Sequence, residues 1–315
     1  MKFQKILTIG IDEAKLDPVY WKRLDSLAEK RVNVPKDSPD IKNQLADTDC
    51  LLVNFGVAVG KEEIDSAPKL KYVGALATAF GKIDSDYAKT KGITVCNIPG
   101  YSTESVAEFV FAAILENIRE LEKGKKQARE KNYSESGFSA TEIKGKQFGV
   151  LGLGRIGGRV SEIAIGFGAN VSYYSRNRKK DFEAKGIKYE EMSALMPKCD
   201  FLTIHFAQTK ETEGFMNDDF FKKIKKGAVV VNTAPMDIVD IDALERKLKI
   251  EDMTFILDHS DEMSEDNLRK ISGYKNCVIY PPIAYISKEA TVAKKEIFVS
   301  NIENFLKGAS SNAVN

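Results

Sequence analysis

The sequence predicts an α/β protein with parallel sheets. Two observations predict this fold class: short apolar runs alternate with amphipathic segments, and a glycine-rich turn joins one such run to a helix. Strand-like runs that alternate with helical patterns are typical of βαβ units, whose strands pair in parallel. The length of 315 residues corresponds to two domains at about 150 residues each.

The first hundred residues contain four predicted strands of this kind. Apolar runs bounded by polar, Gly or Pro residues predict strands at 5–11, 50–54, 70–75 and 93–97. Apolar residues at helical spacing predict the intervening helices at 18–28, 41–46, 61–67 and 84–91.

A long helix is predicted next, over about 103–130, because apolar residues recur at helical spacing from Val106 to Leu121. Ser105 and Glu108 have capping-box spacing at its start, with Ser102 or Thr103 as alternative caps.

A second βαβ series follows. Its strands are predicted at 147–151, 170–174, 201–205, 228–232, 255–257 and 278–280. Its helices are predicted at 156–167, 190–197, 218–225 and 241–248, and a last helix at 288–306. The tail 308–315 is expected to be loosely held.

Composition and charge exclude several partners. Lys and Arg total 47 and Asp and Glu total 46, a net charge of +1, so we expect no nucleic-acid partner. No apolar run reaches membrane length, and the first is too short for a signal peptide, which favours a cytoplasmic protein without a membrane partner. No metal site or disulfide is expected, because the cysteines lie far apart without a CxxC pair: Cys50, Cys96, Cys199 and Cys277.

The strongest motif is Gly152-Leu-Gly154-Arg155-Ile156-Gly157, which follows a predicted strand and opens a helix. The first glycine permits a tight turn, the second lets a pyrophosphate approach the backbone, and the third lets helix and strand pack closely. Free N–H groups at the helix start then bind the pyrophosphate. The motif in this context predicts a dinucleotide site, and the alternative is a tight turn without ligand.

The end of the next strand indicates which dinucleotide binds. An NAD site places Asp or Glu there for the ribose 2′-hydroxyl, but this chain has Ser175 followed by Arg176, and Arg178 lies just beyond. Serine and arginine accept a 2′-phosphate, so the sequence predicts a preference for NADP(H) over NAD(H). The alternative is a solvated basic turn.

At this point the chain resembles the D-isomer-specific 2-hydroxyacid dehydrogenases, a family that includes glyoxylate and hydroxypyruvate reductases. The likeness covers essentially the whole chain. It is carried by Gly81-Lys-Ile-Asp84, Asn97-Ile-Pro-Gly100, Val106-Ala-Glu108, the glycine motif, Asp200-Phe-Leu-Thr-Ile-His205, Val230-Val-Val-Asn-Thr-Ala234, Leu257-Asp258 and Asn276-Cys-Val-Ile-Tyr-Pro281.

The resemblance implies two Rossmann-like domains with a cleft between them, and a homodimer. The dinucleotide-binding domain would be 100–287, and a flavodoxin-like substrate domain would join 1–99 to 288–315. The nicotinamide half of the cofactor would lie along Val106, His205, Thr233, Ala234 and Asp258. The substrate would meet Ala77, Thr78, Ala79 and Tyr101.

Three catalytic positions of that family are replaced in this chain. The family uses an Arg for the substrate carboxylate, a His for the proton, and a Glu that orients the His. Matching the motifs places Pro235, Pro282 and Met263 in those positions, although a shift of one residue would let Glu262 serve as the Glu. Proline and methionine neither transfer protons nor bind a carboxylate.

Two histidines remain, His205 and His259. The resemblance places His205 beside the cofactor. His259 has acidic neighbours that can tune an imidazole, so the candidate catalytic residues are His259, Glu262 and Asp258. The alternative is a polar loop away from the cleft. Weaker candidates are Tyr101, Tyr280, Tyr285 and Asp237.

Three functions stay open. The first is an NADP(H)-dependent oxidoreductase with a rebuilt active site, which acts on a small carbonyl or hydroxy compound. The second is an inactive dinucleotide-binding pseudoenzyme that acts as a sensor or scaffold. The third is residual reduction of glyoxylate or hydroxypyruvate.

Overall fold

The computed structural model describes residues 2–78 and 80–315, and the chain divides into two compact units. Unit 1 comprises Met1–Tyr101 and Ser287–Asn315, and unit 2 comprises Ser102–Ile286. Each unit is built on a parallel sheet with helices, which confirms the predicted α/β class.

Unit 1 has a five-stranded parallel sheet in the order β2-β1-β3-β4-β5. Strand β2 lies on one side of β1, and β3, β4 and β5 follow on the other side. The strand order therefore reverses between β1 and β3, which makes this the topological switch point of the sheet. The elements before unit 2 are β1 (Phe3–Ile9), α1 (Pro18–Ser26), β2 (Ala28–Val34), α2 (Ile41–Leu45), β3 (Cys50–Val53), α3 (Lys61–Asp65), β4 (Tyr72–Ala75), α4 (Ser85–Thr90) and β5 (Thr94–Cys96).

Strand β2 was missed by the sequence pattern. It pairs with β1 from Phe3↔Ala28 to Ile9↔Val34, but only Ala28 of its seven residues is buried. An edge strand carries charged side chains toward solvent, so its sequence lacks the apolar run by which the other strands were predicted.

Unit 2 has a seven-stranded parallel sheet in the order β12-β11-β10-β9-β6-β7-β8, with its switch point between β6 and β9. The elements are α5 (Thr103–Ile118), α6 (Leu121–Arg129), β6 (Gln147–Leu151), α7 (Arg155–Gly166), β7 (Asn170–Tyr174), α8 (Lys180–Glu183), β8 (Lys188–Tyr189), α9 (Met192–Leu195), β9 (Phe201–Ile204), α10 (Asp218–Phe221), β10 (Ala228–Asn232), α11 (Ile241–Leu248), β11 (Met253–Leu257), α12 (Glu265–Ser272) and β12 (Cys277–Ile279).

The single helix predicted over 103–130 is wrong. Helix α5 ends at Ile118 and α6 begins at Leu121, because Glu120 between them takes a left-handed backbone conformation with φ 50°. The Glu120 carboxylate accepts the backbone N–H of Ser139 at 3.0 Å. The break between the two helices is therefore stabilised by a contact with Ser139, later in the chain. The local spacing of apolar residues does not indicate it.

The chain returns to unit 1 in α13 (Lys288–Leu306), and the residues after it are not loosely held. Ala313 pairs with Cys96 in an antiparallel bridge, and the backbone N–H of Val314 donates to Val95 O at 2.9 Å. The side chain of Asn315 donates to Ile93 O at 2.8 Å. The tail thus lies along β5 and covers the edge of the sheet.

Both sheets are covered on two faces. Along β6, for example, Leu151 packs into one apolar cluster of unit 2, whereas Phe148 and Val150 pack into another. All four cysteines are free and buried, and no helix in the described part of the chain is long and apolar enough to cross a membrane.

Candidate functional site

The glycine motif forms the turn between β6 and α7. Gly152 has φ +94°, and a Cβ there would lie 2.7 Å from His205 O. A Cβ at Gly157 would lie 2.2 Å from Gly152 O, so helix and turn pack too closely for a side chain. A Cβ at Gly154 would meet open space. The first and third glycines are therefore required by packing, and the second leaves room beside the backbone.

Helix α7 presents its N-terminus to that open space. Its N-cap is Gly154, which supplies no side-chain cap, and the first N–H groups of a helix lack intrahelical acceptors. Arg155 is exposed, whereas the side chain of Ile156 packs against the core. The residues therefore fit a pyrophosphate, with Ile156 contributing through its backbone.

The residues after β7 differ in their freedom to bind a ligand. Ser175 donates its hydroxyl to Asn177 O at 2.6 Å. Arg178 is engaged with Glu183 through two hydrogen bonds, one of them 3.0 Å long. Arg176 pairs with Glu211 only at 3.4 Å, and its side chain is 81% exposed. Arg176 is thus less engaged with other side chains than Arg178 is.

His205 and Thr233 follow the neighbouring strands β9 and β10. Thr233 Oγ1 lies 3.2 Å from His205 Nδ1, and burial lowers the pKa of His205 to about 3. Its Nε2 is buried and has no hydrogen-bond partner among the described residues. A neutral ring of this kind suits contact with a bound group and makes a poor proton donor.

The candidate catalytic residues meet where β10 and β11 end. Glu262 Oε1 lies 3.3 Å from His259 Nδ1, and Glu262 Oε2 accepts the backbone N–H of Met236 at 2.8 Å. Asp258 Oδ1 lies 3.7 Å from His259 Nε2. A carboxylate therefore faces each nitrogen of the imidazole ring.

These carboxylates determine the ionisation of the ring. Burial favours neutral His259, but the hydrogen bond with Glu262 and the charge of Asp258 outweigh it, so the pKa of His259 is raised. Burial raises the pKa of Asp258. Burial also opposes ionisation of Glu262, yet its bonds with His259 and Met236 N–H keep its pKa below the usual value. The arrangement favours a protonated imidazole beside ionised Glu262.

The cluster combines a buried carboxylate, Asp258, with a partly exposed imidazole ring, His259. Asp258 is 1% exposed, and its Oδ1 has no hydrogen-bond partner among the residues described. The side chain of His259 is 23% exposed. The ring can therefore meet a ligand while its supporting carboxylate stays buried.

A hydrogen-bond chain that the sequence did not predict supports Asp258. Its Oδ2 accepts the backbone N–H of Ala284 at 3.1 Å, and Ala284 O accepts the hydroxyl of Ser105 at 2.7 Å. Ser105 is therefore not the helix cap, which is Ser102. Val106, the next residue, is buried, and Ala234 is buried at the end of β10.

The three residues that the sequence comparison matched to the family's catalytic positions carry no ionisable group. Pro235 precedes a short helical turn at Met236–Ile238, Met263 packs against the core of unit 2, and Pro282 is half-buried after β12. Glu262 contacts His259, and the side chain of Met263 is turned to the core.

Two of the weaker candidates, Tyr280 and Asp237, have other contacts. Tyr280 donates its hydroxyl to Glu116 at 2.6 Å, and Asp237 accepts from Gln208. Tyr285 is 38% exposed.

The predicted substrate residues lie in unit 1. Ala77 is buried, and exposed Thr78 donates its hydroxyl to Ile98 O at 2.8 Å. Ala79 lies outside the described residues. The ring of Tyr101 lies 5.6 Å from Lys294 Nζ, a lysine that the sequence pattern did not single out.

Comparisons with known proteins agree on one family. Residues 111–284 match the family described as D-isomer specific 2-hydroxyacid dehydrogenase, NAD binding domain. A hydroxypyruvate reductase of Blautia hydrogenotrophica is 30% identical over 309 residues, which cover 94% of each chain.

Two solved structures share the whole fold. D-Lactate dehydrogenase of Aquifex aeolicus, in complex with NAD and lactic acid, is 29% identical with a TM-score of 0.83 and 96% of each chain covered. An acyclic imino acid reductase in complex with NADPH and D-Arg is 27% identical with a TM-score of 0.86, covering 98% of this chain and 100% of that one. The two units are therefore Rossmann-like, and this chain belongs to the D-isomer specific 2-hydroxyacid dehydrogenase family.

Proposed function

We propose that the protein is an NADP(H)-dependent reductase of small carbonyl or imino compounds, in which His259 transfers the proton. The observation that carries the proposal is the contact of His259 Nδ1 with Glu262 at 3.3 Å, at the carboxyl edge of the sheet of unit 2. Ligands of open parallel sheets bind at this edge. The cluster supplies an acid–base group in place of the one replaced by Pro282.

His259 acts as the general acid in the reducing direction. Its raised pKa keeps a larger fraction of the ring protonated near neutral pH. Glu262 orients the ring through Nδ1. Asp258 Oδ1 lies 3.7 Å from Nε2, beyond hydrogen-bond distance, so Nε2 holds the proton that passes to the substrate oxygen or nitrogen. When bound, the dinucleotide supplies the hydride. In the oxidising direction the neutral ring accepts the proton.

The cofactor preference rests on Arg176. No carboxylate stands at Ser175 to repel a 2′-phosphate, and the exposed guanidinium of Arg176 has only a 3.4 Å contact with Glu211 to give up.

Replacing Arg176 with Gln should weaken NADPH binding by about 10-fold to 100-fold, as expected for charged hydrogen bonds, and leave NADH binding unchanged. Arg129→Gln, an exposed arginine on α6, is the control. Tighter binding of NADH than of NADPH by the unaltered protein would reject the preference.

The substrate class extends beyond 2-oxo acids. Pro235 brings no cation to the position where the family binds a carboxylate, so the electrophile need not be a keto acid. The imino acid reductase that shares the fold supports including imines among the candidates. The bound group in either case is a polarised C=O or C=N bond.

The decisive assay follows NADPH oxidation with glyoxylate, hydroxypyruvate, neutral aldehydes and imines formed from a 2-oxo acid and an amine. His259→Ala should lower kcat/KM by about 10²-fold to 10⁴-fold, the usual contribution of a general acid. Glu135→Gln, in an exposed loop, should have no effect. Absence of turnover across the panel with cofactor bound would favour the pseudoenzyme, which the intact His259–Glu262 pair argues against.

We also infer a cytoplasmic homodimer. Several large apolar side chains of unit 2 are exposed in the single chain, among them Tyr133 at 82% and Phe167 at 39%, and burial of such groups stabilises association. A molar mass of one chain by light scattering would reject the dimer.

A further inference from the structure

Ser105 is a serine of α5 whose hydroxyl bonds outside its own helix. It is half-buried and lies in the first turn of α5. A serine within a helix commonly donates to a carbonyl one turn earlier in the same helix. The Ser105 hydroxyl donates instead to Ala284 O at 2.7 Å, 179 positions further along the chain. Its effect is therefore on the segment that follows β12.

Ala284 is held on two sides. Its carbonyl oxygen accepts the Ser105 hydroxyl, and its N–H donates to Asp258 Oδ2 at 3.1 Å. Ala284 is 2% exposed, and a buried backbone group that loses its partner is costly, so each bond constrains the position of the residue. Ala284 thus links the start of α5 to the end of β11.

The bond from Ala284 determines which oxygen of Asp258 faces His259. With Oδ2 on the Ala284 N–H, Oδ1 has no hydrogen-bond partner among the described residues and lies 3.7 Å from His259 Nε2. Burial raises the pKa of Asp258, and the Ala284 N–H opposes this effect by binding the ionised form. Ala284 therefore controls both the orientation and the charge of the carboxylate beside the ring.

The charged groups that act on the His259 ring are carboxylates of one short segment: Asp258, Asp261 and Glu262. On α5, the acidic residue next to Ser105 is Glu104, which pairs with Arg159 at 2.7 Å. Ser105 itself brings a neutral hydroxyl. The path from Ser105 to the ring thus runs through Ala284 and Asp258.

We propose that Ser105 is a positioning residue for proton transfer by His259: its hydroxyl fixes Ala284, and Ala284 fixes the carboxylate of Asp258 beside the ring. This role rests on the proposed reductase function, whereas the effect on the ionisation of the ring does not. Without the hydroxyl, the Ala284 N–H bonds less well to Asp258, and the buried carboxyl group favours its neutral form. The ring then loses part of the negative charge that keeps it protonated.

An NMR titration of the His259 ring, in the intact protein without cofactor, tests this role. Ser105→Ala removes the hydroxyl and introduces a good helix former, so the variant should fold. We expect the titration midpoint of His259 to fall by about 0.5 to 1 pH unit, which is the loss of one hydrogen bond expressed as a pKa change. Ser105→Thr keeps the hydroxyl and should keep the midpoint.

Ser26→Ala is the matched control. The Ser26 hydroxyl also donates to a backbone carbonyl, Arg23 O at 2.6 Å, but it lies in unit 1. The titration midpoint of His259 should be unchanged in this variant. The ring signals of His205 show whether each variant is folded.

The outcomes separate positioning from support of the fold and from the reductase function. An unchanged His259 midpoint in Ser105→Ala, with or without a loss of unfolding free energy, would overturn the proposal, as would an equal fall in Ser105→Thr or Ser26→Ala. If the assay finds turnover, the fall in reductive rate of Ser105→Ala should move to lower pH by the same amount as the midpoint. A midpoint that depends on Ser105 in a protein without turnover would support the positioning of His259 and reject the reductase function.

Discussion

His259 is controlled by residues within four positions of it in the sequence. Glu262 bonds to one ring nitrogen, and Asp258 lies near the other. Because the pKa of His259 is raised in the folded state, its protonation adds to stability below the ordinary histidine pKa, and this contribution is lost as pH rises through the folded value. The reductive rate should fall over the same upper range, because the neutral ring cannot donate a proton.

Glu262→Gln should therefore lower the pKa of His259 and move the fall in reductive rate to lower pH. The substitution removes the negative charge and leaves the amide able to bond. Only two histidines are present, and His205 with its pKa of about 3 stays neutral above pH 5, so an NMR titration of ring signals isolates His259. Glu135→Gln is the matched control. An unmoved titration in Glu262→Gln would show that Glu262 does not set the ionisation.

The glycine turn offers a pair of matched substitutions. Gly154→Ala places its methyl group in open space, whereas Gly157→Ala drives it against Gly152 O. We expect Gly154→Ala to fold with unchanged stability and bind NADPH at least about 10-fold more weakly, because the methyl group occupies the approach to the backbone. Gly157→Ala should lose about 1–3 kcal/mol of stability through overpacking. Urea unfolding and NADPH titration measure the two effects, and equal behaviour of both variants would contradict this reading.

Among the elements, those with a buried apolar run were predicted from sequence and the others were not. Strand β10 has the sequence AVVVN and is buried throughout, so its apolar run was sufficient to predict a strand. Strand β2 lies at an edge, and the break at Glu120 depends on a bond to Ser139. The candidate site shows the same difference. The cluster around His259 is local in sequence and was predicted, whereas the contact of Lys294 with Tyr101 joins residues that are far apart in the chain and was not.

The tail on β5 should contribute measurably to the stability of unit 1. Asn315 accepts the N–H of Val95 at 3.0 Å and donates to Ile93 O at 2.8 Å. Asn315→Ala leaves these backbone groups to find other partners, and we expect a loss of about 1–3 kcal/mol for the bonds removed. Urea unfolding followed by fluorescence of Trp21, the single tryptophan, measures it. Ser310→Ala, at an exposed position, should cost nothing, and equal midpoints for both variants would contradict the role of the tail.

At the scale of the whole molecule, each unit has its own sheet and its own apolar clusters. A unit with its own core can open separately from its neighbour. The glycine turn belongs to unit 2, whereas Trp21 is 4% exposed in the core of unit 1. The chain thus carries its fluorescent reporter in the unit that does not contain the dinucleotide motif.

NADPH should therefore stabilise unit 2 more than unit 1. A ligand at 100 times its Kd adds about 2.7 kcal/mol to the unit that binds it, and NADH at the same concentration should add less if Arg176 selects the phosphate. Hydrogen exchange measures protection of β6 and α7, while Trp21 fluorescence in urea reports on unit 1. Gly154→Ala, which binds NADPH at least about 10-fold more weakly, should lose about half of the gain at β6 or more, without moving the Trp21 transition in the absence of cofactor. Equal stabilisation of both reporters by NADPH would instead show that the two units unfold together.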